Sequence, residues 1–76
     1  MLDQLIKSLN ENYDHVDTSN VTRDTEYRTE LGLDSMDIME WYVQIENEFD
    51  ITISDEEYDN CKTMGDISDL VSSKIE

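Results

Sequence analysis

The chain has no proline, two glycines, one cysteine and five basic residues in 76 positions, and each shortage removes a class of answer. A lone Cys61 forms no internal disulfide, and together with the single His15 it makes no zinc cage. Neither staple common in mini-proteins is therefore available. Lys and Arg are too few and too scattered to displace counterions from a phosphate backbone, which excludes nucleic acid as a partner and disfavours an anionic membrane surface. No apolar run approaches a membrane span, so stable membrane insertion is not expected. The segment from Met1 to Asn12 carries acids and amides where a signal peptide needs an apolar stretch. A domain this short buries only about 60% of the surface its unfolded chain exposes, so stability should be modest. The expectation is a monomeric, soluble, cytoplasmic, helical protein with a cationic partner, folded as a single domain over residues 1–76.

What is abundant is acid. Twenty Asp and Glu against five Lys and Arg give a formal charge of −15. Between Arg28 and Lys62 there is no base, while 11 acids occur from Glu30 to Asp59. Such a block reads in two ways: as a solvated face that keeps a small protein soluble, or as a field that attracts a positively charged partner and speeds encounter more than it adds affinity.

Leu2, Leu5, Ile6, Leu9 and Tyr13 recur at helical spacing on one narrow face, which predicts an amphipathic first helix from Leu2 to about Tyr13. Residues 14–30 show no sustained period. Val16, Val21 and Tyr27 can pin this long connection to a core, and its length implies either function or order in turns. Gly32 and Asp34 then precede an unbroken run from Ser35 to Phe49, with Asp34 as cap and Asp37 in the first turn. At about 100° per residue, Ile38, Trp41, Tyr42, Ile45 and Phe49 form one inward stripe. Met36, Met39 and Val43 form a second, separate one. They either touch a neighbouring loop or make a docking patch, for which methionine's adaptability suits it. Ser54 with Glu57 matches a capping box for a short helix to about Cys61, and Thr63 with Asp66 repeats the device before Met64, Ile67, Leu70, Val71 and Ile75. The fold class is all-α: a four-helix bundle with three longer helices, one short one and a long loop between the first and second.

Catalytic chemistry finds no purchase. His15 sits in a polar loop with no Ser or Cys partner at a meaningful spacing, and reads as a solvated residue. Cys61 follows an acidic stretch whose carboxylates oppose a thiolate, so it reads as a small, half-buried hydrophobe. Neither glycine has the upstream ligands of an EF-hand, although loose divalent binding by carboxylates stays open. Ser35 differs, because the first turn of a strong helix favours a phosphate group. Its hydroxyl has no activating base, so its modification falls to another enzyme. Asp-Ser also opens many helices as a mere cap.

Leu31-Gly32-Leu33-Asp34-Ser35-Met36-Asp37, then Glu40, then Glu46-Asn47-Glu48-Phe49-Asp50-Ile51 and Thr63-Met64-Gly65-Asp66, closely resembles the acyl carrier proteins. The resemblance spans almost the whole chain, including Asn20-Val21-Thr22 and Tyr27. It implies a carrier with no activity of its own, in which Ser35 is esterified with 4′-phosphopantetheine taken from coenzyme A. The arm's thiol would then carry acyl groups as thioesters in fatty acid, polyketide or related lipid biosynthesis. It implies docking through Asp34, Asp37, Glu40, Glu46 and Glu48, with the hydrophobes Met36, Met39 and Val43. The partners implied are a phosphopantetheinyl transferase and acyl-transferring or chain-extending enzymes with basic patches. The chain departs from the family at Trp41 and Tyr42, where fatty-acid carriers usually place aliphatic residues lining an acyl cavity. Two readings stand side by side: a reduced cavity suited to short, polar or aromatic acyl groups, or aromatics that pack with Leu5 and Tyr27 in a rearranged core. Gly32-Leu33-Asp34-Ser35 in place of Gly-Gly-x-Ser makes an amino-acid carrier less favoured. Two other classes remain, an unmodified acidic module that binds a basic protein and a divalent-cation buffer.

Self-repulsion among the carboxylates should oppose folding and be screened by salt. The melting temperature is expected to rise from low to moderate sodium chloride, and further with a divalent chloride. Melts that stay flat across that range would show that the repulsion is minor.

Overall fold

The spacing of Leu2, Leu5, Ile6 and Leu9 is realised as helix α1 (Leu2–Asn12) in a computed structural model that describes residues 1–75. Glu76, the last position of the expected domain, lies outside the described residues. Leu5 and Leu9 are fully buried, while Leu2 and Ile6 pack partly against the core. The expected end at Tyr13 is one residue long. Tyr13 turns out of the helix at φ −135°, which buries its ring and lets its hydroxyl donate to the Asp37 carbonyl at 3.0 Å.

Helix α2 (Ser35–Phe49) has the predicted limits. Trp41, Tyr42 and Ile45 are buried and Ile38 and Phe49 half-buried, whereas Met36, Met39 and Val43 are 74%, 60% and 53% exposed. The two stripes are thus one core face and one solvent face. The helix stops at Asp50, whose left-handed backbone (φ 53°) is more often supplied by glycine or asparagine. Helix α3 (Asp55–Asp59) opens with the Ser54/Glu57 capping box and ends two residues before the expected Cys61. Helix α4 (Met64–Ile75) has the reciprocal bonds anticipated for Thr63 and Asp66: the Asp66 N–H donates to Thr63 Oγ1 at 3.1 Å, and the Thr63 N–H to Asp66 Oδ2 at 3.1 Å. Met64, Ile67 and Val71 are fully buried and Leu70 partly. Ile75, expected on the same face, is 50% exposed, because the last turn of α4 extends past the core.

The four helices form the expected all-α bundle, with no strand among the described residues and overall dimensions of 30 × 22 × 22 Å; α1 packs on α4. Residues 13–34 are held in successive turns. Val16 and Tyr27 are buried as pins and Val21 partly so, joined by Leu31 and Leu33, which carry no periodic signal. The loop is tied to the start of α4 by Met64 N–H to the Thr25 carbonyl and Gly65 N–H to the Arg23 carbonyl, both 2.8 Å, and by an Arg23–Asp69 ion pair. That approach requires glycine, since a Cβ on Gly65 would stand 2.9 Å from the Arg23 carbonyl oxygen.

At the centre lies an aromatic cluster. Tyr42 stacks on Tyr58 of α3 with centroids 3.6 Å apart, and Tyr27 meets the edges of Trp41 and Tyr42 at 5.4 and 6.2 Å. The Trp41 indole N–H is buried without a hydrogen-bond partner among the described residues, a cost of roughly 1–3 kcal/mol that the packing offsets.

The backbone N–H groups of Lys62 and Thr63 hold the Asp66 carboxyl below its ordinary value. A depressed folded value means that this stabilisation is complete above about pH 4 and is lost as pH falls through the folded value. Urea denaturation should find Asp66→Asn less stable than wild type by about 0.3–1 kcal/mol at neutral pH. The gap should shrink in acid; one that persists unchanged to low pH would show that charge at Asp66 is not what caps α4.

Candidate functional site

The chain reaches α2 through a tight approach that sets the position of Ser35. Gly32 adopts φ +71°, a conformation other residues rarely take, with open space around it. Asp34 follows as N-cap, its carboxylate accepting from the Asp37 N–H at 2.8 Å. Ser35 is therefore the first helical residue. Its hydroxyl is exposed, and neither acid, base nor backbone engages it among the described residues. Three conditions for holding a phosphate ester coincide: a free nucleophilic oxygen, the positive end of a 15-residue helix and an open approach. Among the described residues no base contacts the hydroxyl, so an ester formed there would be installed by another protein.

Around Ser35 the sequence-predicted acids divide by what they already bind. Glu40 and Glu48 are exposed and free of partners among the described residues. The Asp34 carboxylate is the cap. Asp37 is partly buried and faces His15, whose Nε2 lies 3.7 Å from Asp37 Oδ2 and whose ring meets Tyr13 edge-on. His15 is exposed, as expected, yet the fold gives it this acidic neighbour in the first turn of α2. Glu46 is half-buried, and its Oε1 accepts from the Ile53 N–H at 2.7 Å, fixing the turn between α2 and α3. Met36, Met39 and Val43 lie on the same exposed face, with Met39, Glu40, Val43 and Gln44 lining a shallow depression. Burial and the neighbouring Glu40 and Asp37 charges push the Tyr13 hydroxyl upward, so it remains a neutral donor.

Ser35 also borders a groove of about 260 Å³ with Arg28, Ile38, Met39, Tyr42 and Asp59. A second groove, about 420 Å³, shares Arg28, Met39, Tyr42 and Asp59 and continues between α2 and α3 past Val43, Glu46, Ile53, Asp55 and Tyr58. Arg28 was not recognisable as a site residue, because it sits in the aperiodic loop and only the fold brings it to this groove. Its Nη2 donates to the Tyr58 carbonyl at 2.8 Å and, at 3.4 Å, to the Tyr42 hydroxyl; its guanidinium carbon stands 5.7 Å from the Tyr27 ring centre. The neighbouring Tyr42 hydroxyl, and after it that of Tyr27, raises its pKa further. Burial likewise pushes the Tyr27 and Tyr58 hydroxyls up. Cys61 is buried, its thiol pushed up by burial and then by Asp66, as suits an unreactive packing residue. Among the described residues no three His, Cys, Asp or Glu side chains converge as a metal-ligand set, and no helix is long and apolar enough to cross a membrane.

Comparison with known proteins gives one answer. Residues 4–71 match the family model described as the phosphopantetheine attachment site. The chain is 42% identical over 67 residues to the acyl carrier protein of Aster yellows witches'-broom phytoplasma, covering 88% of each. It is 35% identical over 57 residues to that of Exiguobacterium sibiricum, covering 75% of this chain and 72% of the relative. A mitochondrial acyl carrier protein of Saccharomyces cerevisiae is 36% identical over 69 residues, 91% of this chain and 55% of the relative. The crystal structure of an acyl carrier protein from Thermotoga maritima shares the fold with a TM-score of 0.83 at 27% identity, over 97% of this chain and 85% of that one.

Because nothing crowds Gly32, a substitution there tests the backbone alone. Gly32→Ala should cost about 1 kcal/mol in urea denaturation, and Gly32→Asn less, since asparagine tolerates the left-handed region. An alanine variant as stable as wild type would mean that the chain enters α2 by another conformation.

Proposed function

Because the chain belongs to the acyl carrier protein family, whose members are carriers and not catalysts and whose cofactor is phosphopantetheine, we propose that Ser35 is where the 4′-phosphopantetheine arm is attached. The observation that carries this reading is the exposed, unengaged Ser35 hydroxyl at the N-terminus of α2. In the transfer, Ser35 Oγ forms a bond to the phosphorus of coenzyme A that bears the pantetheine. The pyrophosphate bond breaks, the nucleotide half leaves, and the hydroxyl proton passes to a base of the transferase.

The acids and hydrophobes of α2 are the docking surface in this reading. Asp34, Asp37, Glu40, Glu46 and Glu48 attract Arg- and Lys-rich patches, and Met36, Met39 and Val43 supply apolar contact at the centre. Exposed pairs of this kind contribute about 0.2–1 kcal/mol each, weak enough for a carrier that must leave every partner. A cytoplasmic location and a role in fatty acid, polyketide or related lipid synthesis belong to the same proposal. The cargo is short, polar or aromatic, a reading supported by Trp41, Tyr42, Tyr27 and Tyr58 filling the space between α2 and α3. Family membership leaves the unmodified acidic module without support.

Mass spectrometry after incubation with coenzyme A and a broad-specificity transferase should show the gain of one phosphopantetheinyl group, absent in Ser35→Ala. Failure of the folded protein to be modified would refute the assignment. On unmodified protein loaded from octanoyl coenzyme A by the same transferase, NMR shifts at Trp41, Tyr42, Ile45 and Ile67 should be small. Large ones would reveal a buried chain and overturn the cargo reading.

A further inference from the structure

Arg28 is an anomaly in its setting. The groove that starts at Ser35 carries Glu46, Asp55 and Asp59, yet Arg28 forms no ion pair among the described residues, while Arg23 and Lys74 pair with Asp69 and Glu57. Its hydrogen bonds leave through Nη2 alone, to Tyr58 and Tyr42. The Nε and Nη1 hydrogens have no partner among the described residues. Yet the head is fixed: Tyr27 lies beneath it and a carbonyl holds one corner. A planar fork held on one side and open on the other is a donor already oriented for an oxygen acceptor.

Distance decides which acceptor. Tyr42, the contact of Arg28, follows Ser35 by seven residues on α2, which at the helical rise is about 10 Å along the axis. A phosphate esterified to Ser35 Oγ is favoured at the N-terminus of α2, at the Ser35 end of the groove. An arm folded along the groove would place beside Tyr42 its amide carbonyls or a carbonyl of the group it carries. Acids on the groove wall disfavour an anionic occupant and leave a neutral carbonyl as the fitting one.

We propose that Arg28 anchors a carbonyl oxygen of the arm or its cargo in the groove between α2 and α3, holding the arm against the protein when no enzyme is engaged. This rests on Ser35 as the attachment point. The aromatic cluster beneath the groove gives it a closed floor, with Tyr42 stacked on Tyr58, so the arm lies on the surface.

The test compares three forms of the full chain by NMR: unmodified, carrying the unloaded arm, and carrying the arm with a 3-oxobutanoyl group. Mass spectrometry first establishes that each arm is on Ser35, so a failure of attachment is seen separately from a failure of anchoring. The Arg28 Nε–H signal and the Tyr58 and Asp59 amides are expected to shift. A shift with the unloaded arm assigns the acceptor to the arm's amides, and a shift only with 3-oxobutanoyl assigns it to the cargo. Arg28→Lys keeps the charge but loses the planar fork, and should abolish the Tyr58 and Asp59 shifts while the unmodified variant stays folded. No shift at Arg28 in either modified form, or amide shifts undiminished in Arg28→Lys, would overturn the proposal.

Discussion

The hydroxyl pair between Tyr27 and Tyr42, at 2.7 Å, is the contact on which the rest of the interior depends. Each tyrosine has one proton to give. The Tyr27 hydroxyl is also 3.3 Å from the Cys61 carbonyl, which can only accept. Tyr27 therefore donates there, Tyr42 donates to Tyr27, and the Tyr42 oxygen is left to accept from Arg28. One directed chain of donors thus runs from the surface of the groove to the turn after α3. It joins the long loop, α2 and α3, three elements that a chain with no disulfide must hold by packing and hydrogen bonds alone. The stack of Tyr42 on Tyr58 and the edge contact of Tyr27 with Trp41 are arranged around it.

That arrangement bears on both readings of the inward aromatics. Trp41 and Tyr42 are buried in the core and packed against Tyr27, which a rearranged core and a smaller cavity require alike. Aromatic rings that fill the space between helices leave grooves at its surface, of about 260 and 420 Å³, and those grooves carry Arg28, Tyr42 and acids along with their apolar walls. A substitution read as a departure from the family is thereby a change in what the space beside Ser35 offers.

The periodic elements were legible in the sequence and the aperiodic ones were not. The limits of α2, its two stripes, and the caps at Ser54 and Thr63 follow from local rules that act within one or two turns, which is why composition and spacing sufficed. Leu31, Leu33, Tyr58 and Arg28 are different. Each owes its place to a contact with a residue distant in the chain, as Arg28 does with Tyr58 thirty positions on, and no local period marks such a contact. At the site, Ser35 could be read from the capped start of the helix and the family resemblance, and Met36, Met39 and Val43 because exposure on a helix is periodic too. The partner of Asp37 in His15, the bond of Glu46 to Ile53, and the groove itself came only with the fold.

The acids of α2 therefore do two kinds of work, and the division bears on how a partner is held. Asp34 and Glu46 satisfy backbone N–H groups, so their negative charge is fixed in position before any encounter. Glu40 and Glu48 project freely and must be ordered on contact, at a cost in side-chain entropy. In the proposed docking role, such a surface would steer a basic partner by the fixed charges and the long-range field of the whole chain, and gain little from the mobile ones at close range. Fast approach with weak retention follows from that distribution, and it would suit the proposed docking of one small face on several enzymes in turn.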